Sequence, residues 1–159
     1  MARYERILSL AVASGLMVVM VMHRGRLAHW QRWQDTAASP PKARSAFRTV
    51  VALYQPDVIV LQDPDRNCRK AGASLRLLRT LAQAADDEPL RAIRIPRVYR
   101  YRNRYEEAIA LCARFPEFDR WRPERWKSHE RAPKDLIVFE ALTYVVAVLD
   151  APEDPAPIR

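Results

Sequence analysis

The feature that most constrains this chain is an uncharged run of 16 residues, Ile7 to Met22, flanked by arginines before it and by His23-Arg24 after it. A helix that crosses a bilayer needs about 20 apolar residues, so the run is short for a membrane span. Ser14-Gly15 interrupts it, and glycine readily adopts the positive φ of a tight turn. The run therefore predicts two neighbouring strands, with a membrane or signal anchor as the alternative.

The rest of the chain alternates between helix-like and strand-like patterns. Arg24-Gly25 is a second turn signal, so that the strand after it completes a meander. Elsewhere, apolar residues at i, i+3, i+4 and i+7 predict helices, and a β-branched run predicts a buried strand. The predicted strands after the first two are Arg26 to Trp33, Val58 to Leu61 and Leu90 to Ile95, and the predicted helices are Pro41 to Tyr54, Arg69 to Ala85, Arg102 to Phe115 and Pro133 to Leu149.

This order of elements predicts an α/β fold. We expect a mixed five-stranded sheet, in which an antiparallel meander of the first three strands is followed by βαβ crossovers, with helices on both faces. The domain would cover residues 1–150, and residues 151–159 would form a disordered, proline-rich tail.

Composition excludes several classes of function. The three glycines are far apart, which excludes glycine-rich phosphate loops and dinucleotide-binding fingerprints, and no small-molecule cofactor is expected. Cys68 and Cys112 cannot form a cysteine-rich zinc site or a disulfide framework, so we expect a reduced, cytoplasmic setting. What remains is chemistry by carboxylates with a hard metal ion, or binding without chemistry.

The charge balance predicts a polyanionic partner. Lys and Arg total 27 against 19 acidic residues, for a net charge of +8. The stretch from residue 91 to residue 104 has six arginines and no acid, and tyrosines interleave with them, a pattern that suits phosphate contact and base stacking. The alternative is a solvated edge and a loop whose tryptophans cover the core. The candidate nucleic-acid contacts are Arg91, Arg94, Arg97, Tyr99, Arg100, Tyr101, Arg102, Arg104, Arg122, Arg125 and Lys127.

Three short segments, together with the order of elements, resemble RuvC-type Holliday junction endonucleases of the ribonuclease H-like superfamily. The segments are Ile7 to Ala11 before its glycine turn, Pro56 to Gln62, and Asp135 to Leu149. The resemblance implies DNA rather than RNA as the partner, and a homodimer. It also implies a site where several carboxylates converge at the carboxyl edge of the sheet and hold Mg²⁺ or Mn²⁺.

Residue by residue, the chain departs from that pattern. The family's first-strand aspartate falls on Ala11, its fourth-strand glutamate on Gln62, and one of its two positions on the last helix on Ile137. Only Glu140 keeps a carboxylate. The resemblance therefore implies a catalytically impaired nuclease homologue that binds DNA through its arginine-rich surface.

Two alternatives stay open at this point. Asp63 and Asp65 follow the fourth strand and could hold Mg²⁺ or Mn²⁺ with Glu140 from shifted positions, which would make the chain a working endonuclease. Asp63-Pro64-Asp65 is equally typical of a turn and helix start, and Glu140 of a solvated or ion-paired residue beside an apolar stripe. The second alternative is a non-catalytic structural scaffold.

Overall fold

The uncharged run forms a β-hairpin in the computed structural model of the chain, which describes residues 3–127, 133 and 135–151. Strands β1 (Arg6–Ala13) and β2 (Leu16–His23) pair antiparallel along their whole length. Gly15 takes a φ of +70° in the turn between them. The strand prediction is confirmed, and no helix in the described ranges is long and apolar enough to cross a bilayer.

The sheet has five strands in the order β3-β2-β1-β4-β5. Strand β3 (Arg26–Trp33) extends the meander antiparallel to β2. Strands β4 (Val58–Gln62) and β5 (Arg91–Ile95) lie parallel to β1, and β4 lies between β1 and β5. Parallel neighbours need crossover connections, and helices supply them. The predicted mixed sheet is confirmed.

Helices cover both faces of this sheet. Helices α1 (Pro40–Tyr54) and α2 (Gly72–Asp86) pack on one face, and α3 (Arg104–Arg114) and α4 (Leu136–Asp150) pack on the other. Alternate residues of the inner strands point to opposite faces, so β1 and β4 are apolar almost throughout. Two short 3₁₀ helices, at residues 36–38 and 116–121, complete the described elements.

Helix α2 begins later than the sequence predicts, and this difference matters for the site. Ala71 is still extended, and the helix starts at Gly72 rather than near Arg69. The N–H of Asp65 donates to Oδ1 of Asp63 at 2.9 Å, which stabilises a local turn and leaves residues 63–71 as a loop. The turn predicted at Asp63-Pro64-Asp65 is therefore confirmed, the helix start predicted near Arg69 was three residues too early, and the loop carries Lys70 to the edge of the sheet.

The last helix also starts later, at Leu136 rather than Pro133. Helix α3 starts at Arg104, where the side chain of Asn103 accepts a hydrogen bond from the N–H of Glu106 and so caps the helix. The predicted disordered tail, from residue 152 onward, lies outside the described residues.

Candidate functional site

The strands β1, β4 and β5 run parallel, so their carboxyl ends share one edge of the sheet, where open α/β sheets place their ligands. Ser9 of β1 lies opposite Val60 of β4. Ala11 and Gln62 follow two residues later on their respective strands, and side chains two apart share a face. The register therefore places Ala11 and Gln62 next to each other, facing α4.

A buried hydrogen bond fixes α4 over this position. The hydroxyl of Ser9 donates to the backbone carbonyl of Ala141 at 2.7 Å. This bond sets Glu140, the preceding residue, at the carboxyl end of the strands. Ile137 lies one turn earlier on the same helix and is buried in the apolar core. The fold thus brings together the positions that the family resemblance singled out.

Tyr144 links the polar members of this group. Its hydroxyl lies 3.1 Å from Oε2 of Glu140 and 3.4 Å from Oε1 of Gln62. A single hydroxyl proton serves one acceptor, and the charged carboxylate at the shorter distance is the stronger one. Burial, with the nearby Glu140 charge, raises the pKa of Tyr144 far above its ordinary value, so this hydroxyl stays protonated and donates.

Lys70 lies in the loop after β4, and its ammonium group binds the carboxylate of Glu140. Its Nζ lies 3.2 Å from Oε1 and 3.1 Å from Oε2 of Glu140. The side chains of Lys70 and Glu140 are only 15% and 9% exposed. The ammonium group thus contacts both oxygens with little water around the pair. The sequence placed Lys70 in the first turn of a predicted helix, as one of several basic residues there, and gave no signal that it would meet Glu140.

A second ion pair lies beside the first. Arg97 donates from its two terminal nitrogens to the carboxylate of Glu107 at 2.9 and 2.6 Å, and its Nε is 3.9 Å from Glu140. Burial lowers the pKa of Arg97, but the hydrogen bond to Glu107 and the charges of both glutamates outweigh it and raise the pKa overall. With Lys70, the group contains two cations and two carboxylates, so its formal charges cancel.

Arg97 requires a correction to the predicted nucleic-acid contacts. The residue is 5% exposed, and its guanidinium binds Glu107, so it stabilises the interior instead of facing a ligand. The sequence alone grouped it with its neighbours because the whole stretch is basic. Glu106 and Glu107 lie near the start of the next predicted helix, and they are the sequence signal that could have indicated an ion pair for Arg97.

The structure does not bring Asp63 and Asp65 together with Glu140. Asp65 lies 3.4 Å from Arg79, and Asp63 accepts the N–H of Asp65. Among residues 3–127, 133 and 135–151, no three His, Cys, Asp or Glu side chains are placed to share a metal ion.

The residues at this edge do not fit a divalent metal. A hard cation such as Mg²⁺ needs several oxygen ligands with net negative charge. The carboxylates in this group, those of Glu140 and Glu107, already bind the chain's own cations, Lys70 and Arg97. Gln62 supplies only a neutral amide, whose buried nitrogen lacks a hydrogen-bond partner among the described residues. Ala11 and Ile137 offer no ligand atom.

The other predicted contacts lie mostly on the surface. Arg94 pairs with Asp86 at the end of α2. Tyr99 lies under two guanidinium groups, with those of Arg69 and Arg97 4.5 and 4.9 Å from its ring centroid. The exposed members of the predicted set are Arg91, Tyr99, Arg100, Tyr101, Arg102, Arg104, Arg122, Arg125 and Lys127. The exposed arginines and tyrosines after β5 therefore lie beside the carboxyl end of that strand, whereas Arg91 begins β5 and lies at its other end.

Solved structures share this fold. RuvC from Thermus thermophilus is similar with a TM-score of 0.59 and 10% sequence identity, over 89% of this chain and 94% of that one. The Fowlpox virus resolvase, solved with its substrate Holliday junction DNA, is similar with a TM-score of 0.56 and 16% identity, over 91% of this chain and 99% of that one. No protein-family model and no curated protein sequence matches the chain. The chain therefore has the ribonuclease H-like fold of these resolvases.

Proposed function

We propose that this protein binds nucleic acid, DNA in preference to RNA, through the basic surface beside its sheet, and that it does not cleave through a metal centre. The observation that carries the proposal is the ion pair between Lys70 and Glu140 in the fold of the resolvases. In that fold, the edge formed by β1, β4 and α4 is where the family resemblance expects metal-binding carboxylates. Here the one carboxylate left there is neutralised by the protein's own lysine.

The charges already present at the site oppose a divalent metal ion. A metal ion leaves water only where converging negative charge replaces its hydration shell. Lys70 lies about 3 Å from both oxygens of Glu140, and a divalent ion at the same carboxylate would meet that ammonium as a like charge. Arg97, 3.9 Å away, is bound to Glu107 and occupies that second carboxylate. Both carboxylates are therefore already paired with cations of the chain, which opposes metal binding.

The basic surface supports the binding half of the proposal. The loop from residue 98 to residue 104 is exposed throughout and carries three arginines and two tyrosines. Guanidinium groups suit bidentate phosphate contact, and tyrosine rings stack on unpaired bases. The Fowlpox virus neighbour was solved with Holliday junction DNA, and it shares this fold over most of its length.

Salt dependence tests the binding. We expect anisotropy titrations with a four-way DNA junction to show affinity falling about 10²–10³-fold between 50 and 200 mM salt, as for roughly five phosphate contacts. The double variant Arg100→Gln/Arg102→Gln should lower the slope of log affinity against log salt by about 2. Arg48→Gln, an exposed arginine on the opposite face of the sheet, serves as the matched control. Binding that ignores salt would favour a structural scaffold instead.

A cleavage assay tests the absence of metal chemistry. The labelled junction should stay intact in Mg²⁺ or Mn²⁺. Cutting that disappears in Glu140→Gln would overturn this part of the proposal.

Restoring charge provides the converse test. The triple variant Ala11→Asp/Gln62→Glu/Lys70→Ala should gain Mn²⁺ affinity in a calorimetric titration, since it restores two carboxylates beside Glu140 and removes the opposing cation. The same double substitution with Lys70 retained should bind more weakly. No gain in either variant would show that these positions do not converge. The homodimer expected from the resemblance stays a prediction, which light scattering after size-exclusion chromatography can check.

A further inference from the structure

A small basic cavity lies beside the buried ion pairs, between the loop after β5 and the start of α3. Its volume is about 180 Å³. We call it the arginine cavity. Its walls include Arg69, Arg97, Tyr99, Tyr101, Arg102 and Arg104. It lies outside the group of positions where the family resemblance expects metal ligands.

The charge of the arginine cavity favours an anion. Glu107 is the acidic residue in its walls, and it is bound to Arg97 by two hydrogen bonds. This pair forms a rigid, neutral, buried side of the cavity. Arg69, Arg102 and Arg104 then contribute a net charge of +3 to the remaining walls. Of these three arginines, Arg102 has an acidic neighbour in Glu106, whose carboxylate is 4.0 Å from Nε of Arg102.

Two further features of the walls suit a phosphate group at the end of a strand. Asn103 and Arg104 form the start of α3, and the partial positive charge of a helix N-terminus adds to that of the arginines. Arg69 stacks over the half-exposed ring of Tyr99. A stacked guanidinium keeps its N–H edge available for a phosphate. The exposed ring of Tyr101, which also lines the cavity, can stack with a terminal base.

Charge selects the form of phosphate that the cavity favours. A phosphate monoester carries about −1.5 to −2 charges at neutral pH, whereas each internal phosphate of a strand carries −1. Three arginines in one cavity therefore favour a terminal phosphate over an internal one.

We propose that the arginine cavity binds the terminal phosphate monoester of a nucleic-acid strand. This inference rests on the proposed function for its choice of nucleic acid. It adds that the protein distinguishes a phosphorylated strand end from a hydroxyl end. Arg69 and Arg104 bind the phosphate, and Tyr101 stacks with the last base.

Three single-stranded oligonucleotides of one sequence, with an internal fluorophore, test the cavity at 150 mM salt. One carries a 5′-phosphate, one a 3′-phosphate, and one hydroxyls at both ends. We expect at least one phosphorylated form to bind about tenfold more tightly than the hydroxyl form. The double variant Arg69→Gln/Arg104→Gln should bring this ratio close to one, and Arg48→Gln should leave it unchanged. Both substituted arginines are exposed, so the fold should persist.

The possible outcomes separate the two proposals. Salt-sensitive binding with equal affinity for all three oligonucleotides overturns the cavity proposal and leaves the proposed function standing. Failure to bind any of them, or the junction, overturns both. A nucleoside 5′-monophosphate that binds more tightly than the phosphorylated oligonucleotide would assign the cavity to a free nucleotide and overturn the strand-end proposal.

Discussion

The exchange of Lys70 for methionine tests the ion pair on which the proposed function depends. Methionine keeps a long, flexible apolar stem but removes the ammonium group. Glu140 would then remain buried, with the hydroxyl of Tyr144 as its hydrogen-bond donor and Nε of Arg97 at 3.9 Å as its nearest cation.

The expected cost follows from the burial of this pair. Removing one partner of a fully buried pair typically costs about 3–5 kcal/mol. Lys70 is 15% exposed and Arg97 remains close by, so we expect a loss of about 2–3 kcal/mol in the free energy of unfolding at pH 7.5. For a domain of this size, that corresponds to a fall in Tm of about 4–12 °C.

The loss should depend on pH in a definite direction. Removing the ammonium group takes away a charge that favours the ionised carboxylate of Glu140. The folded variant therefore binds a proton there more readily than the folded wild type does. The loss relative to wild type should therefore be largest at neutral pH and should shrink as pH falls toward 5.

Urea unfolding followed by circular dichroism at pH 7.5 and pH 5 provides the measurement. Lys42→Met, an exposed lysine on α1, is the matched control and should change stability by less than about 0.5 kcal/mol. Adding Glu140→Gln to Lys70→Met should recover part of the loss, because it removes the uncompensated charge. If Lys70→Met unfolds like the control, or if Glu140→Gln deepens the loss, the ion-pair reasoning is refuted.

Three other substitutions test neighbouring contacts. Ser9→Ala removes the bond to the carbonyl of α4 and should lower stability by about 1 kcal/mol in chemical unfolding. Arg97→Gln leaves Glu107 buried without its cation and should cost about 3–5 kcal/mol, which thermal unfolding would detect as the largest loss of the three. Arg114→Gln removes a half-exposed pair between α3 and α4, for about 0.2–1 kcal/mol at pH 7. The hydrogen bond from Arg114 lowers the pKa of Asp150, so this contribution should be lost as pH falls below the usual range of an aspartate, and stability curves of variant and wild type should converge there.

In the buried group at the edge of the sheet, side chains of the protein itself supply the positive charges that balance the carboxylates. Its two cations and two carboxylates come from the loop after β4, the loop after β5, α3 and α4. Ion pairs of this kind hold these elements in register without an external ligand. The basic surface outside the group remains available to a polyanion.

Much of the architecture could be predicted from the sequence, because the signals are local. The meander is specified by the turns at Gly15 and Gly25 and by the apolar run that forms β1 and β2. These signals are local, because a turn and its flanking strands lie within a few residues of each other in the chain. Gln62 and Glu140, two of the positions that the resemblance singled out, lie within hydrogen-bond distance of the same hydroxyl, that of Tyr144.

The tertiary structure alone decided how charges pair within that site. Lys70 and Glu140 are 70 residues apart, and their contact depends on a loop that the sequence had indicated as helix. Arg97 looks like its basic neighbours in sequence, yet the fold buries it against Glu107 of α3 while the arginines after it stay exposed. Periodicity reports which residues face a core. It carries no information on which charge meets which across the fold, because those pairings are set by the packing of elements distant in the chain.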